Sequence, residues 1–294
     1  MGLLLVSATR AQTVPVQAAV ENRPVTDSEP RHVPGSAKTY TQAQINDSFN
    51  PPDWFPNEHV PMPEVVHHGK APKAFACVLC HLTSGLGHPE SANLAGLPAG
   101  YLNRQISEFK SGARKGTWMV EISKAISEED ARQATEWFAS LTPSVFVRVL
   151  ESETVPKHTA GRMHMPLVEG GSEPLGMRIV EMPEDVRRAL SRDPHSGFVA
   201  YVPVGSIAQG EKLVKTGGAG KTIPCSICHG DALTGLGEVP RIAGLHPEYL
   251  VRQLSSYQTG ATSGDWSPLM KKVVSNLDES ELIAISAYLG SIKP

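Results

Sequence analysis

Two pentads dominate the chemistry open to this chain, Cys77-Val78-Leu79-Cys80-His81 and Cys225-Ser226-Ile227-Cys228-His229. Two thiols three residues apart share one helical turn, so both reach the same edge of a planar ring. A histidine directly after the second can turn under that ring. This is the attachment sequence of a c-type haem, in which the thiols bond to two vinyl-derived carbons and the imidazole binds iron. The chain holds 4 cysteines in all, so none is left for a structural disulfide elsewhere. Two other uses of such pairs fit less well. An all-thiolate zinc site from the four cysteines leaves both histidines unexplained, and a thioredoxin-like redox pair needs a βαβ setting. The expected cofactors are therefore two haem c, attached at Cys77, Cys80, Cys225 and Cys228, with His81 and His229 as proximal iron ligands.

The second axial ligand must come from the far side of the ring, usually from Met or His. Met119 and Met270 are the candidates, because each lies seven residues before the last apolar residue ahead of the final helix of its copy: 126 − 119 = 277 − 270, with Ile126 and Leu277 at the upper ends. His88 and His246 also fall between pentad and Met, but at unequal spacings, and a histidine in a Gly/Pro loop is expected to be solvated. His67 and His68 precede only the first pentad. A proximal imidazole usually donates Nδ1–H to a carbonyl and keeps Nε2 for iron; Pro240 can offer that carbonyl in copy two, where copy one has Ala92. Tyr101, Arg104 and Gln105, with their counterparts Tyr249, Arg252 and Gln253, are candidate haem contacts through the propionates.

The elements that position these groups come from an internal repeat. At an offset of 148, Cys77 meets Cys225, Ala95-Gly96-Leu97 meets Ala243-Gly244-Leu245, Tyr101-Leu102 meets Tyr249-Leu250, and Gly112 meets Gly260. Gly85-Leu86-Gly87 meets Gly235-Leu236-Gly237 only after a two-residue slip, and three residues are inserted between Gly260 and Met270. Each copy predicts a helix with apolar residues at i, i+4 and i+7, namely Leu102, Ile106 and Phe109, then Leu250, Leu254 and Tyr257, stopped at Gly112 and Gly260. A final helix opens at Ser127 or Asp278, where a short polar side chain caps free amides and acids favour the N-terminal end. Its apolar stripes are Ala134, Trp137, Phe138, Leu141 and Leu282, Ile285, Leu289, Ile292.

Outside the copies the pattern breaks. Residues 1–11 resemble the end of a secretory signal peptide, and 12–60 read as an extended, Pro-, Thr- and Ser-rich N-terminal arm. Domain 1 is assigned to 61–143, a connecting segment to 144–205, and domain 2 to 206–294. The connecting segment is too long for a simple loop, and Gly197–Val204 predicts a strand. With Lys+Arg 27 against Asp+Glu 30 there is no basic stripe, which excludes a nucleic-acid reader. No stretch approaches the ~18 apolar residues of a membrane span.

In family order, Cys-x-x-Cys-His, Ala-Gly-Leu, Tyr-Leu-x-x-Gln, a Gly, a Met and a capped C-terminal helix occur in both halves, and this resembles the dihaem, two-domain class I cytochromes c of bacterial periplasms. The resemblance covers roughly residues 70–142 and 208–293. It implies a mainly α fold of two tandem class I cytochrome c-like domains, joined by an irregular, partly β segment and preceded by an extended arm. It implies periplasmic electron transfer through two His/Met haems, without catalysis at iron. The implied partners are redox proteins: a dehydrogenase, a quinol-oxidising complex or a terminal oxidase, with membrane association only through such a complex. The rival function is a dihaem peroxidase-like enzyme, which needs one iron open or His-ligated. A haem-based sensor rests on the connecting segment alone.

Overall fold

The computed structural model describes residues 28–294; the signal-like stretch 1–11 and the first part of the arm lie outside the described residues. The rest of the arm carries β1 (Pro30–Arg31), β2 (Tyr40–Thr41) and the turn of helix α1 (Gln42–Ile45). It is mostly irregular, as its composition predicts, yet it buries a cluster of its own around Val33, Ile45 and Trp54. Trp54 Nε1 donates to the Ser191 carbonyl at 2.8 Å, and Trp137 Nε1 donates to Val60 at 3.0 Å. The arm is thereby fastened to the connecting segment and to copy one.

Copy one contains α2 (Glu64–His67), α3 (Val78–His81), α4 (Ala99–Ser111), α5 (Thr117–Ala125) and α6 (Glu128–Ser140). The connecting segment contains β3 (Val147–Glu151), β4 (Thr154–Pro156), a 3₁₀ turn at Arg162–His164, β5 (Ser172–Pro174), β6 (Val180–Pro183), α7 (Val186–Leu190) and β7 (Phe198–Val202). Copy two contains α8 (Ser206–Thr216), α9 (Ser226–His229), α10 (Pro247–Thr259), α11 (Ser267–Val274) and α12 (Glu279–Ser291). Helices α4 and α10 end where expected, on Gly112 and Gly260 at φ 80° and 76°, a left-handed conformation open to glycine at no steric cost. Ser127 with Asp130, and Asp278 with Glu281, form complete capping boxes at the heads of α6 and α12.

The core of copy one gathers the α6 stripe, Ala134, Trp137 and Phe138, against Val78, Leu97 and Leu102. Copy two does the same with Leu282, Ile285 and Leu289 against Leu250 and Leu213. Each fully buried aliphatic or aromatic side chain contributes roughly 1.5–3 kcal/mol. Helix α8 crosses α12 at Gly210, where a Cβ would stand 1.9 Å from the Ala284 carbonyl oxygen. Copy one reduces the matching helix to the single turn α2.

The repeat register differs from the sequence alignment at one place. Gly87 N donates to His81 O and Gly235 N to His229 O, at 3.0 and 2.9 Å. The bridges His88↔Ser91 and Leu236↔Val239 also correspond, since 88 + 148 = 236 and 91 + 148 = 239. The offset of 148 therefore runs through the loop without a slip. Gly85 is matched by Leu233, which adopts φ 59° where Gly85 has φ 70°. The Gly-Leu-Gly triplets had drawn the alignment out of register because the glycine-like backbone of Leu233 is invisible in its residue type.

The copies face each other about a pseudo-twofold axis. Arg241 and Asn93 are equivalent, 93 + 148 = 241, and Arg241 Nη2 donates to Asn93 Oδ1 at 3.1 Å. Arg114 and Thr262 are equivalent as well, 114 + 148 = 262, and form an antiparallel backbone bridge. The connecting segment supplies a mixed sheet in the order β3-β7-β6, with β7 parallel to β3 and antiparallel to β6. Its Glu181 is buried against His246, whose Nδ1 makes a very short contact with Glu181 Oε1 while Nε2 lies 3.1 Å from the Leu86 carbonyl. One imidazole thus ties copy two to the sheet and to copy one. His88 is buried too, with Nδ1 2.7 Å from Glu90 Oε2. Neither loop histidine is solvated as the sequence predicts, because a carboxylate distant in the chain, Glu181, or next to it in the loop, Glu90, engages the Nδ1 of each ring.

Candidate functional site

Each pentad forms one helical turn, α3 or α9, and the residue after it has positive φ: Leu82 at 60° and Gly230 at 80°. The chain turns back sharply there, which brings a carbonyl 11 residues downstream beneath the histidine. His81 Nδ1 lies 2.8 Å from Ala92 O, and His229 Nδ1 lies 2.8 Å from Pro240 O. A carbonyl only accepts, so Nδ1 carries the proton in both rings. Burial lowers the His81 pKa to about 4, against a smaller upward effect of the Ala92 hydrogen bond. Burial lowers that of His229 in the same way, against Pro240. Both imidazoles are held neutral with Nε2 unprotonated, the state a metal requires.

A single cavity of about 1050 Å³ reaches both pentads, at the upper end of the ~300–1,000 Å³ range of one small-molecule site. Its wall includes the pentad cysteines and histidines, and Met119 and Met270 from α5 and α11. Tyr101, Arg104, Gln105, Tyr249, Arg252 and Gln253 line it too. The six polar residues stand on α4 and α10 at the seam between the copies, an interface that no residue pattern announces. Arg252 Nη2 donates to the Pro89 carbonyl of the other copy at 2.8 Å. Arg104 stacks on Trp266, its guanidinium carbon 3.9 Å from the ring centroid, and Trp266 belongs to the stretch that carries copy two's insertion. Tyr101 is kept protonated by burial and by the neighbouring Tyr249.

These residues fit two haem groups. Arg104 Nη2 is buried with no hydrogen-bond partner among the described residues, as expected of a donor aimed at an absent carboxylate. No disulfide joins the cysteines, and burial pushes the Cys77 and Cys225 thiols up to about 12 and about 11. Thiols rather than thiolates therefore stand at the cavity wall. Among the described residues no three His, Cys, Asp or Glu side chains converge on one metal position.

Sequence reasoning missed two seam residues, Arg114 and Arg241. Both are buried and line the cavity. A repeat comparison highlights identities between copies, and these positions hold Thr262 and Asn93 in the other copy. Their only sequence signal was the exception to the repeat.

No family model matches the chain. It is 26% identical over 225 residues to the thiosulfate dehydrogenase electron acceptor of Thiomonas intermedia (strain K12), covering 75% of this chain and 80% of that protein. It is 31% identical over 86 residues to cytochrome c-554(547) of Halothiobacillus neapolitanus, covering 26% of this chain and 94% of that protein. The fold is similar to that of reduced recombinant cytochrome c4 from Pseudomonas stutzeri, with a TM-score of 0.51 and 21% identity over 74% of this chain and 93% of the other. It is also similar to thiosulfate dehydrogenase TsdBA from Marichromatium purpuratum, with a TM-score of 0.53 and 24% identity over 77% of this chain. This chain spans 38% of that protein's length.

Proposed function

Because the chain belongs to the dihaem class I cytochromes c, we propose that it carries single electrons in the periplasm from a thiosulfate-oxidising dehydrogenase to a downstream acceptor, through two His/Met haem sites. The observation behind this reading is that one cavity wall carries two matching sets of Cys, His and Met residues, each at the equivalent place of its copy. Cys77 and Cys80, and Cys225 and Cys228, would hold the haems. His81 with Met119, and His229 with Met270, would ligate iron. When bound, haem c supplies one-electron Fe(III)/Fe(II) chemistry, at a potential raised by a Met ligand.

The protein's own contribution is positional. Ala92 O and Pro240 O fix the two imidazoles through Nδ1–H, so each ring keeps one orientation and presents its Nε2 lone pair. Helices α5 and α11, which follow the turns after Gly112 and Gly260, would supply the thioethers of Met119 and Met270 from the cavity wall. Both proposed sites share the wall of one cavity at the seam, an arrangement that supports exchange between them. The dehydrogenase partner follows from the relative named as a thiosulfate dehydrogenase electron acceptor, which this chain matches over 75% of its length.

The test is a spectrum of the protein matured in a periplasm, with a pyridine haemochrome count and a carbon monoxide challenge. Two c-type haems, a far-red ferric band and no carbon monoxide shift support the ligand assignment. A carbon monoxide-reactive haem overturns it. Reduction of the oxidised protein on mixing with thiosulfate and a thiosulfate dehydrogenase supports the donor, and no reduction rejects it.

A further inference from the structure

Arg114 enters the seam from copy one, three residues past the end of α4. It is only 8% exposed. Its Nη1 donates to Gln105 Oε1 at 2.7 Å, and its Nη2 donates to Gln253 Oε1 at 2.5 Å and to Tyr249 Oη at 3.1 Å. Gln105 and Gln253 are equivalent residues, 105 + 148 = 253. One guanidinium is thus gripped by the same side chain from each copy. The backbone bridge of Arg114 with Thr262, its own equivalent, places it at the pseudo-twofold axis.

All three acceptors are neutral. Among the described residues no carboxylate lies within ion-pair distance of this cation, and Glu108 acts on it only electrostatically from farther off, although a buried charge normally needs a close counter-charge. The cavity wall on which it lies serves two groups that each bring carboxylates. Arg241, also on the seam, is a second buried cation held by neutral acceptors, the equivalent carbonyls of Ala243 and Ala95 and Asn93 Oδ1.

We propose that Arg114 is a counter-cation shared by both haems, a positioning residue that pairs with propionates from the two sites and raises both reduction potentials together. The inference rests on both pentads carrying haem. A cation near a redox centre disfavours the more positive, oxidised form, so its loss lowers the potential. A cation on the axis acts on both centres, whereas a side chain belonging to one site acts mainly on one.

The experiment is a redox titration of the full holoprotein followed by paramagnetic NMR, which separates the haem methyl signals of the two sites. Arg114→Lys keeps the charge and should leave both potentials near those of the parent. Arg114→Gln should lower both, each by about tenfold in the reduction equilibrium, which is about 59 mV for one electron. Gln253→Glu provides a nearly isosteric second variant that adds a carboxylate to the cation from copy two. It should lower the copy-one potential as well as its own, and Gln105→Glu should do the converse. A shift confined to one haem in Arg114→Gln, or confined to copy two in Gln253→Glu, overturns the proposal, as does no shift. A haemochrome count of two in every variant keeps these outcomes separate from a failure of the two-haem reading.

Discussion

Leu79 and Ile227 fill the same place in the two pentads, 79 + 148 = 227, yet Leu79 is 7% exposed and Ile227 is 63% exposed. The cover over Leu79 comes from outside the repeat. Ala76 N donates to Ser48 O of the arm at 2.9 Å, and Arg192 of the connecting segment reaches the Leu79 carbonyl with Nη1 at 2.6 Å while its Nε donates to Ile45 O at 3.0 Å. Phe49 of the arm stacks edge-on against Phe75, with centroids 5.7 Å apart, and Phe75 meets Trp118 at 5.2 Å. At the equivalent of Phe75, copy two has the exposed Ile223, while Trp118 and its equivalent Leu269 are both exposed.

The first prediction follows from that cover. Phe49→Ala opens the mouth of the first site, and stopped-flow reduction by ascorbate should then show a faster phase for the copy-one haem with the copy-two phase unchanged. Ile227→Lys should alter the copy-two phase alone. Equal acceleration of both phases, or of neither, would mean that the arm does not control access.

The ligand assignment gives the second prediction. Met119→Ala and Met270→Ala each remove one thioether from the cavity wall, so each should abolish about half of the far-red ferric band expected of Met-to-iron ligation and admit carbon monoxide at one reduced haem. The double variant should lose the whole band. An unaltered spectrum in either single variant would put the distal ligand elsewhere in that copy.

The repeat was readable because attachment chemistry restricts residue type. Cys, His, the helix-stopping glycines and the capping Ser127 and Asp278 each have few substitutes, so they mark the copies plainly. The arm and the seam obey no such restriction. Trp54, Phe49 and Arg192 are unremarkable in sequence, and their partners lie far along the chain, 137 residues away for Trp54 and Ser191. The helices α5 and α11 also escaped a pattern reading, since they are short and divide their side chains between the cavity wall and the core. Glu181 and His246 could not be paired from sequence at all, because their meeting depends on how the β6 strand crosses copy two.

The third prediction concerns pH. His164, in the 3₁₀ turn of the connecting segment, places Nε2 3.1 Å from Glu248 Oε1 of α10, and its pKa is raised above 6.5 chiefly by that bond, with burial acting the other way and Glu248 and Glu90 adding electrostatic support. A histidine with a raised folded pKa stabilises the fold fully below its unfolded value and loses that contribution as pH rises through the folded one. The ring of His158 lies 4.7 Å away edge-on. Amide exchange in the β4–β5 ribbon should therefore speed up above neutral pH beyond its intrinsic base catalysis, and His164→Gln should remove the extra dependence. An identical pH profile in the variant would show that the ion pair does not hold the segment down.

The crossing of α8 over α12 gives the fourth prediction. Alanine is favoured over glycine by about 1 kcal/mol in a helix interior, so by propensity Gly210→Ala should stabilise α8. The structure reverses the sign. The new methyl would lie 1.9 Å from Ala284 O and 2.5 Å from its carbonyl carbon, and these are backbone atoms in the middle of a buried helix that cannot swing aside. Overpacking of a core costs typically ~1–3 kcal/mol, and separating two helices to relieve it sacrifices the contacts of Leu213 and Val214 as well. Gly210→Ala should lower the unfolding temperature of the holoprotein by several degrees, at ~2–4 °C per kcal/mol for a chain of about 150–250 residues and similarly here. Gln209→Ala, one position along on the exposed face of the same helix, should leave it nearly unchanged. If Gly210→Ala proves neutral or stabilising, the close approach of α8 and α12 is not present in solution.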